Sequence, residues 1–223
     1  MIKRMFTVAM LSFFTLNGVV AQVSYDSLQS IKSLAYSYPD SAKQLAQRVL
    51  TLEPVDSITA NTLSLLGVIH RLQGDFIAGI EYADSAITYG IEEVNASAFL
   101  NKAVCLRYMG EYEESTSLAL AAVEIYERLG QLDQAATAYN NLGVISMYLE
   151  DYEAALDYYQ KSYNMHLGFN NLKGQSEALN NIAIVYANQG DLESSEVNFR
   201  KSLVIEQQLN NRRGQSESLF NIG

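Results

Sequence analysis

Apolar and small residues recur three and four positions apart over most of the chain, which is the spacing of one face of an α-helix. One such stripe consists of Ala136, Tyr139, Leu142, Gly143 and Ser146, and a second of Tyr152, Ala155, Leu156, Tyr159 and Ser162. Leu149-Glu150-Asp151 separates them, and sister segments at 73–75, 109–111 and 189–191 contain glycine followed by an acid. Glycine after a helix and an acid at the next start are stop and start signals. The pattern therefore predicts helix pairs joined by short turns.

The pairs repeat at a spacing of 40 residues. Asn140-Asn141-Leu142-Gly143 returns at 180–183 as Asn-Asn-Ile-Ala, and Gly174-Gln175-Ser176-Glu177 returns unchanged at 214–217. Self-similarity at such a period indicates a solenoid, in which each repeat buries its apolar face against its neighbours. We predict repeats 1 to 4 at 55–94, 95–134, 135–174 and 175–214, with a fifth repeat starting at 215–223.

Small residues fall at fixed places in both helices of each predicted repeat. They are Gly67, Ala103, Gly143, Ala183 and Gly223 in the first helix and Gly79, Ser115, Ala155 and Ser195 in the second; an aromatic follows the turn at Phe76, Tyr112 and Tyr152. This pattern resembles the tetratricopeptide repeat, in its subclass with longer helices. The resemblance implies an all-α fold, a right-handed superhelical solenoid of antiparallel helix pairs, with Tyr112, Tyr152 and Tyr159 in the core. Lys102 and Leu192 depart from the family pattern.

The two ends of the sequence differ from the repeats. A basic start at Lys3 and Arg4, an apolar run over residues 5–20 and a final Ala21 indicate a cleavable signal peptide over 1–21. The alternative is a membrane anchor, although polar residues interrupt the run. Residues 22–54 predict a degenerate capping helix pair before Pro54. Residues 215–223 begin a first helix without its second, so we expect the natural chain to be longer.

The charge and the cysteine content of the chain limit the functions that it can have. The chain has 15 Lys and Arg against 25 Asp and Glu, with the basic residues scattered, which argues against a nucleic-acid partner. After cleavage we expect an exported, periplasmic or extracellular protein without membrane insertion. Cys105 is the one cysteine, so no disulfide can form within the chain, and we expect a buried, inert thiol.

Catalytic and metal-binding motifs are missing from the sequence. His70 and His166 are the only histidines, without metal-ligand spacing, a cysteine pair or a glycine-rich phosphate loop. His70 occupies an inward position, which predicts a packed and hydrogen-bonded side chain. We therefore predict no enzyme activity and no cofactor for these residues; an enzyme would need catalytic groups that the sequence does not offer.

A column of asparagines is the sequence feature that suggests a function and not only a fold. Asn101, Asn141, Asn181 and Asn221 lie 40 apart, where the first helix should face the concave side. Amide side chains can pair with the N–H and C=O groups of an extended peptide. Tetratricopeptide proteins that bind extended peptides are similar in using asparagines here. The predicted groove also contains Asn140, Asn180, Val104, Val144, Ile184, Arg107, Tyr108, Met147 and Tyr148. The alternative is that the asparagines tie neighbouring helices together.

The leading interpretation is a non-enzymatic exported scaffold that binds a peptide or protein partner in this groove. Relatives that clamp a terminal carboxylate use several basic groove residues, whereas here Arg71 and Arg107 alone are placed for that role. An alternative interpretation is the extracytoplasmic sensor region of a larger signalling protein, followed by a membrane helix and a kinase, DNA-binding or cyclase module.

Overall fold

The structure of the chain is a computed structural model that describes residues 26–52 and 55–222. These residues form eleven α-helices and no strand, which confirms the predicted all-α solenoid of helix pairs. The helices are α1 (26–34), α2 (Pro39–Thr51), α3 (Asp56–Leu72), α4 (Phe76–Ile87), α5 (Glu92–Met109), α6 (Tyr112–Arg128), α7 (Leu132–Tyr148), α8 (Tyr152–Gly168), α9 (Leu172–Gln189), α10 (Leu192–Gln208) and α11 (Arg212–Ile222). The predicted signal peptide, Pro54 and Gly223 lie outside the described residues.

The chain divides into two compact units, the first ending at Met109 and the second starting at Gly110. The first unit contains α1 to α5, and the second contains α6 to α11. From α5 onward each first helix begins three residues before the predicted repeat start, at 92, 132, 172 and 212. The opening residues of these helices differ between repeats, for example Leu-Asp-Gln at 132–134 and Arg-Arg-Gly at 212–214, so they carry no recurring signal.

The turns between paired helices have the predicted stop and start geometry. Gly74, Gly110 and Gly190 have φ of 82°, 87° and 80°, and Glu150 takes the same place with φ of 57°. This left-handed conformation suits glycine, which has no Cβ to clash with the backbone. Three aspartates, Asp75, Asp151 and Asp191, then accept a backbone N–H at the start of the next helix. These three turns therefore end one helix and cap the next, whereas Glu111 after Gly110 makes no side-chain cap bond.

In the first unit, α1 and α2 pack onto α3 through apolar side chains. Ile31, Ala42 and Val49 are buried together with Leu66 and Ile69 of α3. Lys102, which departs from the family pattern, is half-buried, and its Nζ atom donates to Asp84 Oδ1 at 2.9 Å. Across residues 26–52 and 55–222, no helix is both long enough and apolar enough to cross a bilayer.

Small residues in the first unit allow close approach between helices. A Cβ atom at Gly79 would lie 2.9 Å from the sulfur of Cys105. Cys105 is fully buried, as predicted, and burial raises the pKa of its thiol to about 11. The thiol is thus protonated and inert at neutral pH.

The second unit places Gly143 against an aromatic ring. A Cβ atom there would lie 2.5 Å from the ring of Tyr159, which is buried in a cluster with Ala155 and Val185. The prediction that Tyr159 belongs to the core is therefore confirmed. Tyr152 is half-buried and packs against this cluster, in agreement with the same prediction. The prediction is wrong for Tyr112, which is half-buried because it is the first residue of α6 and lies at the turn.

Candidate functional site

Asn101, Asn141 and Asn181 of the predicted asparagine column are not equivalent. Asn101 in the first unit is only 4% exposed, and its Oδ1 accepts a hydrogen bond from Arg71 Nε at 2.7 Å. Its Nδ2 donates to the backbone carbonyl of Gly79 at 3.3 Å. Asn101 therefore joins α3, α4 and α5, which is the alternative that the sequence left open, and it does not present its amide to a ligand.

Asn141 and Asn181 in the second unit lie nearer the surface. Asn141 donates to the carbonyl of Thr137 within α7 at 2.9 Å, and Asn181 donates across to Asn140 Oδ1 at 2.8 Å. The second bond links α9 to α7 through side chains that keep further donors and acceptors. Asn180 buries its Oδ1 atom, to which none of the described residues donates. Four amides thus lie on two neighbouring first helices.

The predicted apolar groove residues separate into buried and accessible positions. Val104 in the first unit is buried, so it belongs to the core. Val144 and Met147 are half-buried against the cluster around Tyr159, whereas Ile184 is 42% exposed. Ile184 also borders a cavity of about 420 Å³, lined mainly by residues of α9, α10 and α11. The predicted groove residues of the second unit that keep accessible apolar surface therefore lie on α7 and α9.

Each predicted groove tyrosine stacks on the aromatic that follows a turn, a pairing that the sequence analysis missed. Tyr108 lies 4.8 Å from Phe76 in the first unit, and Tyr148 lies 5.6 Å from Tyr112 in the second. Both tyrosines remain 56% exposed. The signal was the similar sequence separation within the two aromatic pairs, 32 residues in one and 36 in the other. Each stack presents an aromatic surface at the end of a first helix.

The predicted basic groove residues are engaged within the first unit. Arg71 bonds to Asn101, and the guanidinium carbon of Arg107 lies 4.3 Å from the centre of the Tyr108 ring. Among the described residues no group of three His, Cys, Asp or Glu side chains is placed to hold a metal ion.

Both histidines bond to the residue that caps the next helix. His70 Nδ1 lies 3.0 Å from Asp75 Oδ2, as a packed and hydrogen-bonded histidine should. His166 is 6% exposed, and its Nδ1 lies 3.2 Å from Asn171 Nδ2. Burial lowers the pKa of His166, although Asp133 and Glu177 oppose this effect.

A buried carboxylate occupies the position of His166 one repeat later. Glu206 accepts hydrogen bonds from Ser176 and from Asn211, the latter at 2.6 Å. Gly214 lies directly against this carboxylate, just as Gly174 lies against the ring of His166. The repeated Gly-Gln-Ser-Glu sequence thus provides space for a polar side chain, and its glycine was the signal that could have revealed both sites.

Comparison with known proteins supports the fold. Two sequence profiles, both described as tetratricopeptide repeat, match residues 94–167 and 176–213 and together cover half of the chain. Comparison with curated proteins finds no matching relative.

Three solved structures illustrate the likeness. BtubC (BKLC) from P. vanneervenii is 17% identical with a TM-score of 0.67, over 88% of this chain and 93% of that chain. Aspartyl phosphate phosphatase F from Bacillus subtilis is 18% identical with a TM-score of 0.66, over 82% and 49%. A signal transduction ATPase with a tetratricopeptide repeat sensor from Pyrococcus horikoshii is 15% identical with a TM-score of 0.75, over 99% and 34%. The profiles and the helix pairs agree, and the chain belongs to the tetratricopeptide repeat family.

Proposed function

We propose that the second unit binds an extended segment of a partner protein along α7 and α9. Tetratricopeptide repeats indicate a scaffold for protein–protein interaction, and proteins built from them are generally non-enzymatic. The observation that supports this site is the neutral surface of amide and apolar side chains on these two helices. We call it the amide surface, and it consists of Asn140, Asn141, Asn181, Val144, Met147, Ile184 and Tyr148.

The amides suit a peptide backbone. Asn140 uses its Oδ1 to accept from Asn181 and keeps its Nδ2 as a donor, while Asn181 keeps its Oδ1 as an acceptor. One donor beside one acceptor matches the N–H and C=O groups that every peptide repeats. Because the surface carries no charged side chain, recognition does not depend on a terminal carboxylate.

The free energies of hydrogen bonds and of apolar burial indicate what the amides and the apolar groups each contribute to binding. A hydrogen bond contributes roughly 0.5–1.5 kcal/mol net, whereas micromolar binding needs about 8 kcal/mol. The amides alone are therefore too weak. Burying Ile184, Val144 and the exposed face of Tyr148 supplies apolar contacts that select particular partner side chains.

A peptide-library screen tests this proposal, followed by single variants with any bound peptide. Asn141→Ala and Asn181→Ala should weaken all bound peptides by a similar factor, because backbone contacts are independent of sequence. Tyr148→Ala should instead change the ranking of peptides. Asn198→Ala is the matched control, because Asn198 makes the same bond within its own helix, α10, as Asn141 does in α7. If Asn141→Ala and Asn181→Ala bind like Asn198→Ala, the amide surface is not the binding site.

We also propose that the protein is exported after removal of residues 1–21. The basic start, the apolar run and Ala21 support cleavage before Gln22. Mass spectrometry of the exported protein should find Gln22 as the first residue. Intact Met1 on protein extracted from membranes would support an anchor instead.

A second candidate is the sensor region of a larger signalling protein. It is supported by the likeness to the Pyrococcus horikoshii ATPase, in which the matched repeats form 34% of the chain. The size of the native protein tests it: immunoblotting should detect a product well above 24.8 kDa if further modules are attached.

A further inference from the structure

The joint between α8 and α9 contains a buried histidine whose hydrogen bonds fix its protonation state. Asn171 caps α9 by accepting the backbone N–H of Gly174 at its Oδ1 atom, at 3.1 Å. Its Nδ2 donates to Asp133 Oδ1 and to His166 Nδ1, both at 3.2 Å. The cap, the acid and the histidine together allow one orientation of the amide.

This orientation requires a neutral imidazole. An amide NH₂ can only donate, so Nδ1 of His166 must accept, and the ring proton must lie on Nε2. Protonation of Nδ1 would place two donors face to face at 3.2 Å. Two acceptors could then serve the new N–H. One is Asp133 Oδ1, now 3.8 Å away, and the other is Asn171 Oδ1 after rotation of the amide, which would release Gly174.

We propose that this joint is a pH-sensitive switch, in which protonation of His166 breaks its bond to Asn171 and loosens the cap of α9. The charged groups that face the ring are Asp133 from α7 and Glu177 from α9, and Glu177 is itself 3.6 Å from Lys173. Burial sets the neutral ring as the state at pH 7 because it lowers the pKa of His166. Protonation of His166 at low pH therefore destabilises its hydrogen-bonded arrangement with Asn171.

The next joint along the chain provides an internal control. Between α10 and α11, Asn211 accepts the N–H of Gly214 at 3.3 Å and donates to Glu206 at 2.6 Å. The cap geometry is the same, but a carboxylate replaces the imidazole. In repeat 2 the equivalent residue is Tyr126, which is also buried. Among these three equivalent joints the imidazole lies between α8 and α9, and the histidine at the α3–α4 turn, His70, faces the acceptor Asp75 instead of an NH₂ group, so the switch acts at the α8–α9 joint.

Nuclear magnetic resonance on the full chain between pH 8 and pH 5 tests the switch. The ¹⁵N shifts of His166 should show the Nε2–H form at high pH. Exchange of the Gly174 amide, corrected for the intrinsic pH dependence, should accelerate about two- to tenfold with the His166 midpoint, in line with loss of one hydrogen bond. The Gly214 amide should not follow this midpoint. Constant Gly174 exchange through the His166 titration, or a parallel change at Gly214, would overturn the proposal.

Two variants sharpen the result. His166→Gln removes the titrating ring and should abolish the pH dependence of Gly174 exchange. Asn171→Asp keeps the cap but replaces the donor by a carboxylate, so it should raise the His166 midpoint by about one pH unit or more. An unchanged midpoint in Asn171→Asp would show that Asn171 does not hold the ring neutral, and the proposal would fail.

Discussion

The joints at His70 and His166 share one geometry and differ in a single functional group. In each, a buried histidine contacts the helix cap five residues later, but the cap is the carboxylate of Asp75 in the first unit and the amide of Asn171 in the second. The backbone N–H of Ala78, followed by His70, lowers the pKa of Asp75. A carboxylate can accept from a protonated ring, whereas an amide nitrogen cannot. Exchanging a cap oxygen for an NH₂ therefore reverses the role of the ring nitrogen: Nδ1 of His70 donates to its cap, whereas Nδ1 of His166 accepts from its cap.

The two units also differ in the role of the asparagine at the recurring position. Asn101 occupies the recurring position but is buried beside Gly67, whose missing side chain leaves room for the amide nitrogen to reach the backbone carbonyl of Gly79. Its counterparts in the second unit, Asn141 and Asn181, bond to groups on first helices instead. One sequence position therefore gives a structural contact in one unit and an accessible amide in the other.

The largest effect should come from removing the space beside His166. In Gly174→Ala the new Cβ would overlap the ring, because ring atoms already lie within contact distance of that position. We expect a loss of about 3 kcal/mol in the free energy of unfolding, measured by urea denaturation. Gly168→Ala is the control, since its Cβ would enter open space, and it should be neutral or stabilising by up to about 1 kcal/mol. Equal denaturation midpoints would contradict the packing.

Replacing the buried asparagine of the first unit should cost more stability than replacing its accessible counterpart in the second unit. Asn101→Ala leaves the buried carbonyl of Gly79 and the side chain of Arg71 without this partner, and we expect a loss of about 2 kcal/mol. Asn141→Ala removes one bond within α7 at the surface and should change stability by less than about 0.5 kcal/mol. Thermal unfolding of both variants provides the measurement. Matching losses would mean that Asn101 is no more structural than Asn141.

The pH dependence of stability should reveal His166. Its pKa is lowered in the fold, while the unfolded value is about 6.5. The unfolded state therefore takes up protons first, so stability is complete above about pH 6.5 and falls as the pH drops through the folded pKa. The slope contributed by one group is at most about 1.4 kcal/mol per pH unit. Subtracting the His166→Gln curve from the parent curve should isolate this decline, and identical curves would rule it out.

The smallest effect should come from Asp75→Asn in the first unit. Asparagine keeps an acceptor for the N–H of Ala78, so the cap survives and only the charge facing His70 is lost. Because the pKa of Asp75 is lowered, its contribution is present above about pH 4 and disappears as the pH falls through the folded value. The difference between parent and variant should thus shrink between pH 5 and pH 2 in urea denaturation. A difference that grows in acid would refute this sign.

Periodicity was sufficient for most of the fold. Stripes at helical spacing and glycine before an acid located the helices and their turns, because both signals act within a few residues. The small positions, such as Gly143 and Ala155, are buried as the family pattern implied. Those features depend on backbone geometry that every repeat shares.

The candidate site could not be predicted in the same detail as the fold, because its geometry depends on contacts between helices. Whether Asn101 faces a ligand or the carbonyl of Gly79 is decided by the rotation of α5 against α4, which sequence spacing does not specify. The stacking of Tyr148 on Tyr112 likewise joins two helix ends that lie 36 residues apart. The buried Glu206 was missed because a charged side chain near a helix end is usually solvated.

The buried thiol of Cys105 makes this chain convenient for spectroscopy. Since its pKa is about 11, only about one molecule in ten thousand carries the reactive thiolate at pH 7. A cysteine introduced at an exposed position, such as one of the turns, would then react with a maleimide dye while the native sulfur stays silent. Pairs of dyes could be attached without first replacing Cys105, so distances within the protein become measurable on single molecules of otherwise native sequence.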